Sequence, residues 1–131
     1  MPRHIIVTPN APSSPLYSQG VKAGSQLFVS GTTGIDPHTG ALAGSTIQDQ
    51  TRQALANCRA VLEAGGASLD DVVEVGVLLT DPRDFDGMNE EYGRWFPEDP
   101  PTASGQARCR DIRAARLNTY DSGHRLILKS N

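Results

Sequence analysis

Residues 17–34 hold two strand-forming runs on either side of a tight turn, and that hairpin constrains the chain more than any other stretch. Lys22-Ala23-Gly24-Ser25 has turn chemistry, since glycine tolerates positive φ and serine bonds to nearby backbone. The flanking runs therefore read as a β-hairpin. Its second arm, Gln26-Leu27-Phe28-Val29-Ser30-Gly31, begins with strand formers and ends in small residues. A strand that ends this way leaves backbone amides and one hydroxyl reachable, which makes room for a small ligand.

The rest of the chain supplies what such a hairpin needs to pack against. Arg3 to Val7 reads as a first strand, and Pro9, Pro12 and Pro15 with Asn10, Ser13 and Ser14 make the approach to the hairpin an irregular loop. Asp36-Pro37-His38-Thr39-Gly40 is a second loop. Ser45 followed by Gln48 fits a capping box and predicts the start of a helix. Ile47, Thr51, Ala54, Leu55, Cys58, Val61 and Leu62 then recur at helical spacing until Gly65-Gly66 ends it with a left-handed cap. Val73, Val75, Val77 and Leu79 alternate along Val72 to Thr80, which reads as a central strand. Val72 and Leu78 make its other face apolar too, so both faces want cover and an oligomer interface is expected on the second. Phe85, Met88, Tyr92 and Phe96 predict a second helix over Asp84 to Phe96, stopped by the prolines that follow. After Pro101 the alternation is clear only near Leu126-Ile127-Leu128, and strands are expected there.

The order and spacing of YSQGVKAGSQLFVSG, DPHTGALAG, QTRQALAN, SLDDVVEVGVLLTD and the MNEEYGRWF segment resemble the reactive intermediate deaminase family, also called YjgF-type proteins. The resemblance runs from about Ile6 to Pro101 and stops there. It implies a single α+β domain over residues 1–131, chorismate-mutase-like, with two helices on one face of the sheet. It also implies a homotrimer with ligand clefts at the subunit interfaces, and hydrolysis of reactive enamines or imines to keto acids and ammonia. The alternative is a small-molecule binding protein of the same architecture without catalysis.

Matched position by position, the resemblance makes Tyr17, Ser30, Gly31 and Asn89 substrate-binding residues, with Tyr17 and Ser30 the catalytic candidates. Read alone, a tyrosine packs with its hydroxyl in water, a serine bonds to its own backbone, and an asparagine on a helix is a surface residue. Family members with deaminase activity place an arginine in a Pro-Ala-Arg-Ser-like segment, where its fork pairs with a substrate carboxylate. Here that run is Pro101-Thr102-Ala103-Ser104, and Ala103 brings neither donor nor charge. The family's glutamate in the final strand has only Asp121 as a surrogate. Arg108 or Arg110 would reach the cleft if the strand were shifted by an even number of residues, although a solvated basic surface is the plainer reading.

Composition sets outer limits on these readings. With 37% hydrophobic and 21% charged residues the chain is an ordinary globular sequence, without an apolar run long enough to span a bilayer. The N-terminus lacks the hydrophobic region of a secretory signal, so a cytoplasmic protein is expected, with Cys58 and Cys109 as free thiols. His4, His38 and His124 are scattered, and neither metal nor cofactor is expected. A net charge of -3 argues against nucleic acid, and the arginines near the C-terminus lack the interleaved aromatic residues of a nucleic-acid surface.

Overall fold

The computed structural model describes residues 2–104 and 126–130. Strand β1 (Arg3–Ile6) lies antiparallel to β2 (Gly20–Ala23), which turns into β3 (Gln26–Thr32). Ala23 pairs with Gln26 across a loop of Gly24 and Ser25. Gly24 has φ +59° while Ser25 keeps an ordinary φ, the pattern of a type II′ turn, whose twist matches that of the strands it joins. Helix α1 (Ile47–Ala64), strand β4 (Glu74–Leu79), helix α2 (Phe85–Trp95), strand β5 (Thr102–Ser104) and strand β6 (Leu126–Ser130) follow. The six strands form one sheet in the order β1-β2-β3-β6-β4-β5, antiparallel except for the β4–β5 pair.

Helix α1 begins one residue later than the expected cap. Thr46, not Ser45, is the N-cap, with extended ψ 154° and its Oγ1 accepting from the Asp49 amide at 3.1 Å. The two hydroxyl residues are adjacent, and the one chosen puts Asp49 in the first turn, where its charge complements the helix dipole. At the other end Gly66 has φ +84°, its amide bonds to the Glu63 carbonyl, and the Ala67 amide reaches back to Leu62 at 2.8 Å. This is a Schellman motif, and the left-handed position falls on the second of the two glycines.

The apolar stripe of α1 faces the sheet. All the residues of its helical repeat are buried, from Ile47 to Leu62, and they join Ile6, Val29, Val75, Val77, Leu79, Met88 and Tyr92 in one core. Close approach is required where Gly20 faces Val61, since a Cβ on Gly20 would lie 2.7 Å from a Val61 methyl. The two helices are tied by Glu91, buried on α2, whose carboxylate accepts from Arg52 of α1 at 2.8 Å. That pair holds the Arg52 guanidinium above its usual pKa, chiefly through the hydrogen bond.

Strand β4 is shorter than Val72 to Thr80, and it is interior but second from an edge. Val75, Val77 and Leu79 are buried as the alternation predicts, whereas Val73 precedes the ladder and is 69% exposed. The opposite face of the sheet carries Ile5, Val21 and Phe28 in one cross-strand row, paired Ile5 to Val21 and Val21 to Phe28. Ile5 and Phe28 are exposed. Among the described residues no helix is long and apolar enough to cross a membrane.

Candidate functional site

The small residues at the end of β3 sit at a break in the ladder. Val29 pairs with Ser130 and Thr32 with Leu128, so three steps along β3 match two along β6. The extra residue is a β-bulge at Ser30-Gly31, a device that re-aims side chains and interrupts pairing beside functional sites. It explains why Val29 and Thr32 are both buried although they are an odd number of residues apart. The bulge leaves Gly31 exposed with no side chain over its backbone.

Both flanks of the bulge are fastened. On one side the Ser30 amide donates to the Gln19 carbonyl at 3.0 Å, and the Ser30 hydroxyl donates to the Ser18 carbonyl. On the other side Asn57, fully buried in α1, donates its Nδ2 to the carbonyls of Thr33 at 3.0 Å and Ile35 at 2.8 Å, and its Oδ1 accepts from Gln53. The loop that follows closes where Gly40, at φ +73°, donates its amide to the Asp36 carbonyl. Cys58 is a free buried thiol one residue on from Asn57. Burial pushes it up to about 11, against a smaller opposing effect of a hydrogen bond with Thr32, so it is a packing residue and not a nucleophile at neutral pH.

Between this strand end and the proline-rich loop lies a small cleft lined by Ala11, Pro12, Tyr17, Gln19, Gly31, Thr32, Thr33 and Val61. Its water-accessible volume is about 40 Å³, space for a few water molecules and too little for a ligand of several carbons. Tyr17 is half-exposed at its mouth. Two larger grooves, of about 500 and 670 Å³, run along the outer surface of α1 and beside Gly65. Neither contains Tyr17, Ser30 or Gly31.

The sequence-predicted site residues therefore fall into separate places. Tyr17 and Gly31 line one cleft, and Ser30, not itself in the lining, sits at the bulge next to Gly31 and bonds to Ser18. Asn89 is half-buried on α2 and is not among the residues that line the cleft. Ala103 is opposite Val75 on edge strand β5, three strand spacings from β3, about 14 Å across the sheet. Arg108, Arg110, Cys109 and Asp121 lie outside the described residues. Gln19, Thr33 and Asn57 belong to the site's frame without having been singled out from the sequence. The signal for Gln19 and Asn57 was a polar residue inside an otherwise packed motif. Among the described residues no three His, Cys, Asp or Glu side chains come together as a metal site.

Comparison with known proteins gives the chain's family. Residues 8–116 match the family model described as Endoribonuclease L-PSP. A RutC family protein of Pyrococcus horikoshii is 50% identical over 101 residues, which span 76% of this chain and 79% of that protein. The 2-iminobutanoate/2-iminopropanoate deaminase of Dermatophagoides farinae is 36% identical over 105 residues, 79% of this chain and 81% of that one. Among solved structures, Escherichia coli TdcF with bound serine superposes with a TM-score of 0.81 at 32% identity, covering 97% of this chain and 95% of that chain. These matches show that the chain belongs to the reactive intermediate deaminase family, whose sequence model carries the name Endoribonuclease L-PSP.

Proposed function

We propose that this protein hydrolyses 2-imino or enamine acids to 2-keto acids and ammonia, as a homotrimer whose ligand clefts lie between subunits. The observation that carries the reading is the bulge that brings the bare backbone of Gly31 into one cleft with Tyr17, while Ser30 beside it is bonded to Ser18. The name of the Dermatophagoides relative supports the substrate class. In the reaction, water adds its oxygen to the electrophilic imine carbon, the carbon–nitrogen bond breaks, and the nitrogen leaves as ammonia while the carbon becomes a carbonyl. No redox change occurs. A protonated imine is already reactive, so the protein needs chiefly to hold substrate and water in line. The Ser30 hydroxyl spends its proton on Ser18, which leaves its oxygen free to accept from the water or the iminium N–H. The Tyr17 phenol, half in solvent, can donate to a carboxylate or the departing nitrogen.

Two features support the assembly. A cleft of about 40 Å³ has to gain a wall before it holds a keto-acid-sized ligand, and a second subunit would supply one. The row Ile5, Val21 and Phe28, with Ile5 and Phe28 exposed and Val21 half-buried between them, gives an apolar surface for that subunit to cover. Asn89, outside the cleft lining, and Ala103, three strands from β3, would then belong to the opposite side of an interface site. The described lining of the cleft has no formal charge and the chain's net charge is -3, which does not favour the phosphate recognition that RNA cleavage requires.

Ala103 favours one second reading, in which the trimer binds an uncharged small molecule and does no chemistry. Ammonia release from freshly generated 2-iminobutanoate, measured against its spontaneous hydrolysis, separates the two. Acceleration by the unmodified chain supports the enzyme. Acceleration only after Ala103→Arg selects the binding protein that has lost its carboxylate clamp.

A further inference from the structure

We propose that Gln19 is a positioning residue that sets the wall of the ligand cleft by holding the strap of residues 8–12 against the bulge. The inference rests on reading the Tyr17–Gly31 cleft as the imine site. Strand pairing does not tie the strap to the sheet, because Pro9 and Pro12 have no amide hydrogen and residues 8–12 join no strand. The Asn10 amide bonds within the strap to the Thr8 hydroxyl at 3.2 Å, and a single side chain from outside takes the Thr8 amide and the carbonyls of Thr8, Ala11 and Pro12. Gln19, buried on the chain leading into β2, accepts from the Thr8 amide at 2.8 Å and donates Nε2 towards the carbonyls of Thr8 at 2.9 Å, Ala11 at 2.9 Å and Pro12 at 3.0 Å.

The same residue touches the other wall through its main chain, since its carbonyl takes the Ser30 amide and its neighbour Ser18 takes the Ser30 hydroxyl. Ala11 and Pro12 form one side of the cleft and Gly31 and Thr32 the other, and Gln19 bonds to Ala11 and Pro12 directly and to Ser30, the residue before Gly31. A packing residue would need only volume here. Gln19 supplies one acceptor to one amide and a donor group to three carbonyls, a pattern that only a carboxamide of this length matches.

That asymmetry gives a readout that loss of packing would not produce. In Gln19→Glu the Thr8 amide keeps its acceptor, but a carboxylate oxygen faces three carbonyls, so the variant carboxyl is pushed above the usual carboxylate range and regains one donor when protonated. The titratable groups around the strap, among the described residues, are Tyr17 at the cleft mouth, Cys58 near Thr32, and the Arg59–Glu63 pair in the groove behind. All are unchanged in the variant, and referring each rate to the unmodified protein at the same pH removes their contribution.

The test measures ammonia release from 2-iminobutanoate by the full chain, Gln19→Glu and Gln19→Met, with exchange of the Thr8 amide followed by NMR. At about pH 8 both variants should raise KM about tenfold or more, with kcat held within roughly threefold. The Glu deficit should shrink towards about pH 5.5 while the Met deficit does not. Thr8 exchange should quicken in both. Faster Thr8 exchange with KM unchanged would show the strap released without effect on the cleft and overturn the proposal, as would a Glu deficit with no pH dependence. If the unmodified protein shows no turnover, the deaminase reading fails by itself. Gln19 is then judged by the amide shifts of Gly31 and Thr33 in Gln19→Met, whose movement supports the proposal and whose constancy overturns it.

Discussion

The Ser30 hydroxyl donates its proton to the Ser18 carbonyl, across the two segments that meet at the bulge. The bond restrains the χ1 of Ser30, next to Gly31 of the cleft lining, and leaves the hydroxyl oxygen its acceptor capacity. Ser30→Ala removes that bond and the acceptor together. Stability should fall by about 0.5–1.5 kcal/mol, an ordinary side-chain hydrogen bond, while kcat/KM for 2-iminobutanoate falls by about tenfold or more. Equal, small losses in both measurements would mean that Ser30 is structural only.

Asn57 should be one of the most costly polar residues to replace. It is fully buried, and its Nδ2 serves the carbonyls of Thr33 and Ile35, two half-buried residues of the loop after β3. Asn57→Leu keeps the branched outline, overpacks the site slightly and removes the donor from both carbonyls, which predicts a loss of about 2–4 kcal/mol in urea unfolding. A loss below about 0.5 kcal/mol, the size of a surface change, would show that the loop after β3 is not held from α1.

Cys58 gives the chain a pH dependence of known sign. An unfolded thiol titrates near 8.5, whereas burial holds the folded one up to about 11. The folded state therefore binds the proton more tightly, and the stability it contributes is complete below pH 8.5 and is lost as pH rises to about 11. Across that window the unmodified protein should lose about 1.4 kcal/mol per pH unit more than Cys58→Ala, since every other group is common to both. Parallel stability curves would place the thiol in contact with water.

Much of this fold was legible from residue spacing, and what was missed has identifiable causes. The period of α1 and the alternation of Val75, Val77 and Leu79 are local signals that the core reproduces. Thr46 and Ser45 are adjacent hydroxyl residues that a pattern cannot rank, and exposed Val73 has the strand propensity of its buried neighbours. The bulge depends on register with β6, a partner distant in sequence, so Ser30-Gly31 read only as a strand ending in small residues. The separation of Ala103 from Tyr17 depends on strand order. Gln19 follows no period, because its bonding is set by where the strap carbonyls fall. The tail residues Arg108 and Asp121 lie outside the described residues.

The outward face predicts the assembly. Phe28 is 42% exposed in one chain, next to Val21 in the cross-strand row. Phe28→Asp should leave the fold of the single chain within about 1 kcal/mol, since the side chain makes little of the core, yet place a charge in the proposed interface. Sedimentation at micromolar concentration should show three chains for the unmodified protein and one for the variant. A monomer in both would remove the interface from the account.

Ammonia release from freshly generated 2-iminobutanoate, with and without the unmodified protein, tests the central claim most directly. The account predicts release well above spontaneous hydrolysis, with 2-oxobutanoate formed in equal amount, no added cofactor, and loss of the acceleration in Ser30→Ala. Release at the spontaneous rate, from a protein shown to be folded and trimeric, would contradict it.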